Sequence, residues 1–487
     1  MAKPTHFLIT LKYLIHQLLP SSQQPISSNG LSLVFSVTRR QPVLVSPAKR
    51  TPYEFKYLSD IDDQESLRFQ IPIIQFYRNN PSLGGRDPAG VIRDAIAEAL
   101  VFYYPFAGRI REGLNHKLTV ECTGEGVVFI EADADVSLKE FGDALQPPFP
   151  CFEELLYDVP GTGDVINSPL LLIQVTRLTC GGFIFALRLN HTMSDATGLV
   201  QFMTAVGELA QGARSISVPP VWKRELLSAR DPPHVTCVHR EYDQLADIKS
   251  AILPFDDMIH RSFFFGPAEI SGLRKQVPNH LRTCSTFELL TACIWRCRTI
   301  ALGLDPNDEV RIIGLFNVRG KYRPPLPTGY YGNAFALPVA ISPAGKLCNS
   351  PLGYALEQVK KAKNEVTQEY MQSVADLMVL KGRPHYMVKH SYVVSDVTRA
   401  GFMNVDFGWG KPVYGGPARG GVGNIPGLTS FYIPFKNAKG EYGIVVPFCL
   451  PRPAMEKFMV EIQSMTSEPK EEPKQLYITS KFTTSRL

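Results

Sequence analysis

The pentapeptide His191-Thr192-Met193-Ser194-Asp195 sets a carboxylate four positions after the side chain best suited to move a proton near neutral pH. An unperturbed imidazole has a pKa of about 6.5, so its neutral form takes a proton readily from a substrate hydroxyl. Three chemistries share this H-x-x-x-D spacing. His191 can act as a general base; Asp195 can orient the imidazole, as the acid does in hydrolase triads; or the two can share a metal. The last needs a second converging histidine, which the sequence does not offer, so no metal is expected.

The neighbouring segments say how the histidine is held. In the preceding run, Phe183, Phe185, Leu187 and Leu189 share one face at period two, which predicts a strand. From Gly198 to Val206 apolar residues return at helical spacing, with Gly198 expected to let the backbone approach a neighbour closely. A loop between two rigid elements is a good seat for a base. A second motif, Asp406-Phe407-Gly408-Trp409-Gly410, lies far downstream, before Lys411 and a glycine-rich stretch over 415–423. It holds no nucleophile or obvious base. Its glycines, aromatics and single carboxylate describe a packed turn.

In this order and separation, the two motifs resemble those of the plant BAHD acyltransferases, which move acyl groups from coenzyme A to alcohols or amines. Tyr104-Pro105-Phe106-Ala107-Gly108-Arg109, Ser285-Thr286-Phe287-Glu288, Asn317-Val318-Arg319-Gly320 and Tyr331-Gly332-Asn333 extend the likeness. It covers nearly the whole chain, from about Leu33 to about Ser464. The resemblance implies that His191 removes the acceptor proton as the alcohol oxygen attacks the thioester. It makes Asp195 part of the site's architecture, turned from the reaction and paired with an arginine; Arg188 and Arg177 are both near in sequence. It makes Asp406 and Trp409 structural and distant from His191, with Asp406 paired to Arg319.

Further residues follow from the same resemblance. Ser395, in Ser395-Asp396-Val397, stands where one branch of the family has Thr-x-Trp, and its hydroxyl would steady the tetrahedral oxygen. Valine in place of that tryptophan argues against large polar acceptors. Ser285 and Thr286 fall at family-like coenzyme A contact positions, with Lys411 or Arg419 expected to meet phosphates. No permanently bound cofactor is implied; acyl-coenzyme A is the co-substrate. Arg39-Arg40-Gln41-Pro42, Leu58-Ser59-Asp60-Ile61-Asp62-Asp63-Gln64 and Val413-Tyr414-Gly415-Gly416-Pro417 carry a closer likeness to the alcohol acyltransferase branch. That likeness implies benzoyl-coenzyme A and benzyl alcohol as partners, giving benzyl benzoate. Acetyl-coenzyme A with aliphatic or terpenoid alcohols is the alternative pair, and a non-catalytic coenzyme A- or partner-binding protein the alternative class.

Bulk properties agree. At 487 residues the chain is too long for one ordinary core and should make two domains. A net charge of +5, without a basic run interleaved with aromatics, excludes nucleic acid as an expected partner. Nine unpaired-looking cysteines point to a reducing compartment. No apolar stretch is long enough to cross a bilayer, and no heptad argues for an oligomer, so a monomer is expected. No G-x-G-x-x-G follows a strand, and neither a P-loop nor a G-x-S-x-G elbow is present. Strands are predicted at Ile71–Tyr77, Lys117–Cys122, Val127–Glu131, Leu170–Leu178, Phe183–Asn190, His260–Gly266, Glu309–Asn317, Ser430–Phe435 and Gly443–Phe448. Helices are predicted at Ala89–Leu100, Thr286–Leu302 and Tyr354–Val379.

These alternate in two similar halves. The expected fold is therefore α/β, and the resemblance adds a chloramphenicol-acetyltransferase-like pair of domains, each a mixed sheet with flanking helices, and a solvent channel between them. The expected division is an extension over 1–32, a first domain over 33–213, a proline-rich crossover linker over 214–239, a second domain over 240–466 and a polar tail over 467–487. The chain finishes Ser485-Arg486-Leu487, a close variant of the Ser-Lys-Leu peroxisomal address. Peroxisomal import is expected, with a cytosolic enzyme as the alternative.

Overall fold

The computed structural model describes residues 33–243, 257–421, 425 and 427–467. The expected extension over 1–32 and the terminal Ser485-Arg486-Leu487 lie outside the described residues. Among those described, two seven-stranded sheets form, with a small three-stranded one beside them. The first runs Val37–Arg39, Val127–Ala134, Leu171–Leu178, Phe183–Asn190, Gln70–Tyr77 and Tyr414–Pro417, with Val43–Val45 pairing alongside Val127–Ala134. The second runs Met258–Phe265, Tyr442–Pro451, Thr429–Lys436, Ser391–Asp396, Glu309–Asn317 and Phe335–Ala336, with Val339–Pro343 also on Glu309–Asn317. Both sheets are mixed, and helices flank them.

Local chemistry explains the elements that matter for the site. Strand Phe183–Asn190 is buried at every position except Arg188, so both of its faces are covered and its length is fixed by packing. Gly181, at φ +77°, turns the chain back into it from Leu171–Leu178. Helix Ala196–Ala210 starts on Asp195, whose carboxylate caps the Gly198 N–H at 3.1 Å. Helix Thr286–Leu302 starts on a reciprocal Ser285–Glu288 capping box and ends at Gly303, φ +60°.

Three expectations need correction. Strand Tyr414–Pro417, expected in the second domain, is an edge strand of the first sheet, with Tyr414 opposite Phe76 and Pro417 opposite Ile73. Phe402, Val405, Phe407 and Trp409 join the first core with it, because their apolar surface is buried there and nowhere else. The span over 214–239 is more than a linker: Arg224 and Leu227 are each 1% exposed. The helix expected over Tyr354–Val379 is two, Leu352–Glu365 and Gln368–Leu380, because Thr367 leaves the helix to cap the second at the Tyr370 N–H, 3.0 Å. All nine cysteines are free, and among the described residues no helix is long and apolar enough to cross a membrane.

Candidate active site

A cavity of about 750 Å³ lies between the two halves of the chain. Leu67, Phe69, Ile71 and His191 line it from the first half; Phe335, Val393, Ser395 and Leu428 line it from the second. His191 follows directly on strand Phe183–Asn190, and its N–H donates to the Phe69 carbonyl at 2.9 Å. Its ring sits between two others, with Phe69 at 5.3 Å and Phe335 at 6.2 Å between centroids. The ring Nδ1 is buried and has no hydrogen-bond partner. Burial holds the His191 pKa below the ordinary histidine value, partly offset by its own main chain and then by the Asp195 carboxylate.

Asp195 does not touch that ring nitrogen. Its Oδ2 accepts from Arg319 Nη1 at 2.7 Å and from the Ala334 N–H at 3.0 Å. Its Oδ1 accepts from Arg319 Nη2 at 2.9 Å and from the Gly198 N–H at 3.1 Å. Both oxygens are thus committed to a bidentate arginine and two main-chain donors, leaving no capacity to orient the imidazole. Burial pushes the Asp195 carboxyl up, but Arg319 outweighs it and the net pKa lies below the usual carboxylate range.

This overturns the pairing expected for Arg319. Its partner is Asp195, not Asp406, because the turn after strand Glu309–Asn317 delivers the guanidinium to the start of helix Ala196–Ala210. Arg188 and Arg177, the sequence neighbours, go elsewhere: Arg188 to Asp158 at 2.6 Å and Arg177 to Asp87 at 2.6 Å. Asp406 satisfies its own loop instead, accepting from the N–H groups of Gly408 (2.7 Å) and Gly410 (2.9 Å). Those glycines sit at φ +103° and +92°, a region other residues rarely adopt. Phe407 packs on Tyr77 and Phe185, and Trp409 on Phe183. No residue from Asp406 to Lys411 lines the cavity.

Gly198 has a steric role: a Cβ there would lie 2.1 Å from the Tyr331 carbonyl oxygen. Ser395 lines the cavity from strand Ser391–Asp396. Ser285 and Thr286 also line it, at the start of helix Thr286–Leu302, together with Arg274 and Lys363. Lys411 and Arg419 do not. Both are exposed on the outer surface, Lys411 bonded to Asn404 at 3.1 Å and Arg419 near Glu153 at 3.5 Å. The glycine-rich stretch that drew attention to them begins as the edge strand Tyr414–Pro417 of the first sheet.

Five residues escaped the sequence reading of the site. Arg274 and Lys363 carry part of the cavity's positive charge, with Arg68 and Arg399, and nothing near them in sequence marks them. Asp62, Arg224 and Asn333 are buried around the His191 loop. Two of these left a signal: Asp62, since a run of acids inside an otherwise foldable segment must find partners, and Asn333, in the family-like stretch Tyr331-Gly332-Asn333. Among the described residues, no group of three or more His, Cys, Asp or Glu could hold a metal ion.

Comparison with known proteins gives a consistent picture. The Transferase family matches residues 35–465. The chain is 68% identical to a benzyl alcohol O-benzoyltransferase of Petunia hybrida over 439 residues, 90% of this chain and 95% of that protein. It is 56% identical to alcohol acyl transferase 1, allele GSa, of Malus domestica over 446 residues, 90% and 96% of the two chains. Among solved structures, vinorine synthase superposes with a TM-score of 0.67 at 20% identity, covering 88% of this chain and 98% of that one. The F. sporotrichioides protein TRI101, solved with coenzyme A and T-2, gives 0.65 at 18% identity, covering 84% and 97%. These two likenesses bear on the fold alone.

Proposed function

For a chain that belongs to the Transferase family, the BAHD acyltransferases, we propose acyl-coenzyme A-dependent esterification of an alcohol, with benzoyl-coenzyme A and benzyl alcohol as the favoured pair. One observation carries the reading. A single cavity presents a buried histidine among aromatic and aliphatic side chains, while Arg274 and Lys363 also reach it beside the start of a helix. An apolar acyl group and alcohol suit the first surroundings, and an anionic phosphate carrier suits the second. The high identity to a benzyl alcohol O-benzoyltransferase selects among substrates.

Nδ1 of His191 is buried, which leaves Nε2 to meet the acceptor. Its depressed pKa keeps the ring neutral and able to accept a proton. The alcohol oxygen attacks the thioester carbonyl carbon as its proton passes to Nε2. The tetrahedral oxyanion collapses, the carbon–sulfur bond breaks, and the proton returns to the departing thiolate. Ester and free coenzyme A result. Ser395 is proposed to donate to the oxyanion, and Arg274 with Lys363, rather than Lys411 and Arg419, to receive phosphate. Asp195 and Arg319 hold the loop.

A second substrate reading, aliphatic acyl groups or alcohols, draws on the 56% identity to Malus alcohol acyl transferases. Single methylenes in such a pocket are worth only about 1–3 kcal/mol. Import into peroxisomes through Ser485-Arg486-Leu487, action as a monomer, and the division of the chain into two domains belong to the same proposal. The test is to supply purified protein with a panel of acyl-coenzyme A donors and small alcohols and to quantify esters by mass spectrometry. Benzyl benzoate as the fastest product supports the favoured pair. Another ester would transfer the mechanism to another substrate, and free acid alone would make the protein a thioesterase.

A further inference from the structure

The imidazole of His191 has no acid to orient it, yet its backbone is held on both sides. From one side, Phe69 accepts its N–H. From the other, the Asn333 side-chain amide donates to the His191 carbonyl at 2.9 Å. The same Nδ2 donates to Asp62 Oδ1 at 2.9 Å, and the Asn333 main-chain N–H meets that oxygen at 2.9 Å as well. Both neighbours of the amide group are acceptors, so its orientation is fixed by chemistry: the nitrogen must face them.

Asp62 is fully buried, and Arg224 grips it with Nη1 at 2.8 and 2.9 Å from its two oxygens. The other end of that guanidinium, Nη2, donates to the Met193 carbonyl at 2.9 Å, two residues beyond the histidine. The rings of Trp222 and Tyr331 flank Arg224, at 4.5 and 5.0 Å from the centroids. Two carbonyls of the catalytic loop are therefore tied, through Asn333 and Arg224, to one carboxylate. The three residues come from three separate parts of the chain: the first half, the crossover and the second half.

We propose that Asp62 is the hub of a positioning device, acting through Asn333 and Arg224 to hold His191 in its reactive orientation, alongside the Asp195–Arg319 pair, which holds the Gly332 and Ala334 main chain on either side of Asn333. An imidazole that lacks an orienting carboxylate depends on its backbone and on the side chain of Asn333 for its direction, and this network fixes both. Since the hub closes only when the crossover and the second half dock on the first, it also couples basicity at the right place to correct assembly of the cavity.

This rests on His191 being the base, and the experiment separates the two ideas. Asn333→Ala removes the tie to the His191 carbonyl; Arg224→Lys keeps the charge but cannot fork between Asp62 and Met193. Each is compared with the parent, with His191→Ala, and with His239→Ala as a destabilised control outside the cavity. The readouts are kcat, KM for both substrates, the pH profile and the melting temperature. The expected result is a kcat lowered about 10- to 100-fold in both hub variants with KM within about threefold, a displaced acidic limb, and no such fall in the control. Asn333→Ala and Arg224→Lys retaining kcat within about twofold while His191→Ala is inactive would overturn the hub alone. A loss no greater than the control's at equal melting temperature would do the same. If His191→Ala itself remains active, the proposed function fails and the hub with it. Should Asn333→Ala not fold, Arg224→Lys decides the outcome.

Discussion

Two histidines of this protein are buried almost equally, His191 at 8% exposure and His239 at 7%, and only their neighbours distinguish them. His239 has the outward form of a hydrolase triad. Its Nδ1 meets Glu241 at 3.0 Å and its Nε2 meets the Ser373 hydroxyl at 2.8 Å. That hydroxyl already accepts from the Thr236 and Cys237 N–H groups, both at 3.0 Å, and Glu241 is also held by the Tyr370 hydroxyl. Every atom is satisfied and none of the three residues reaches the cavity. His191 is the reverse: no carboxylate touches its ring, one nitrogen is unpartnered, and it lines open space. Resemblance to a triad is therefore a poor guide to reactivity. An incompletely satisfied group with access to substrate is a better one.

The contrast can be broken experimentally, and the largest effect is expected where the cavity loop is braced. Arg319→Met leaves the buried Asp195 without its bidentate partner and is expected to cost about 3–5 kcal/mol, read as a lower denaturation midpoint and poorer soluble yield. His239→Ala leaves the buried Glu241 with Tyr370 alone. It should cost about 3 kcal/mol while kcat for the folded protein stays that of the parent; a large fall in kcat would reverse the assignment of the two histidines. Asp406→Ala frees the N–H groups of Gly408 and Gly410 in a half-buried turn and should cost about 1–2 kcal/mol, visible in melting but not in KM. The smallest effect concerns pH. Because burial lowers the His191 pKa, its neutral, active form persists to lower pH than for an ordinary imidazole. The acidic limb of kcat/KM should therefore lie below about 6.5, as read from initial rates across a buffer series.

The sequence made the regular elements and the histidine loop legible for the same reason: both are local. Helix Thr286–Leu302 has its capping box and its terminal glycine written in order, and strand Phe183–Asn190 was bounded correctly by periodicity. What failed was long-range. Arg319 lies 124 positions from Asp195, and no spacing could prefer that partner to Asp406. Strand Tyr414–Pro417 crosses to the first sheet because Phe402, Phe407 and Trp409 find their buried surface there, a tertiary fact without local signature. Lys411 and Arg419 were drawn in by a glycine-rich neighbourhood that begins as the edge strand Tyr414–Pro417, whereas Arg274 and Lys363, without such company, are among the cations that reach the cavity. Arg224 sat in a segment that read as a linker and is among the largest fully buried side chains.

The central claim is that His191 is the base and that His239, for all its triad geometry, is not. A single-turnover measurement with benzoyl-coenzyme A and benzyl alcohol, run side by side on the parent, His191→Ala and His239→Ala, tests it most directly, with circular dichroism establishing that each is folded. The predicted result is ester formation slowed about 10²–10⁴-fold in His191→Ala and unchanged in His239→Ala. Ester formed at the parental rate by folded His191→Ala would contradict the account.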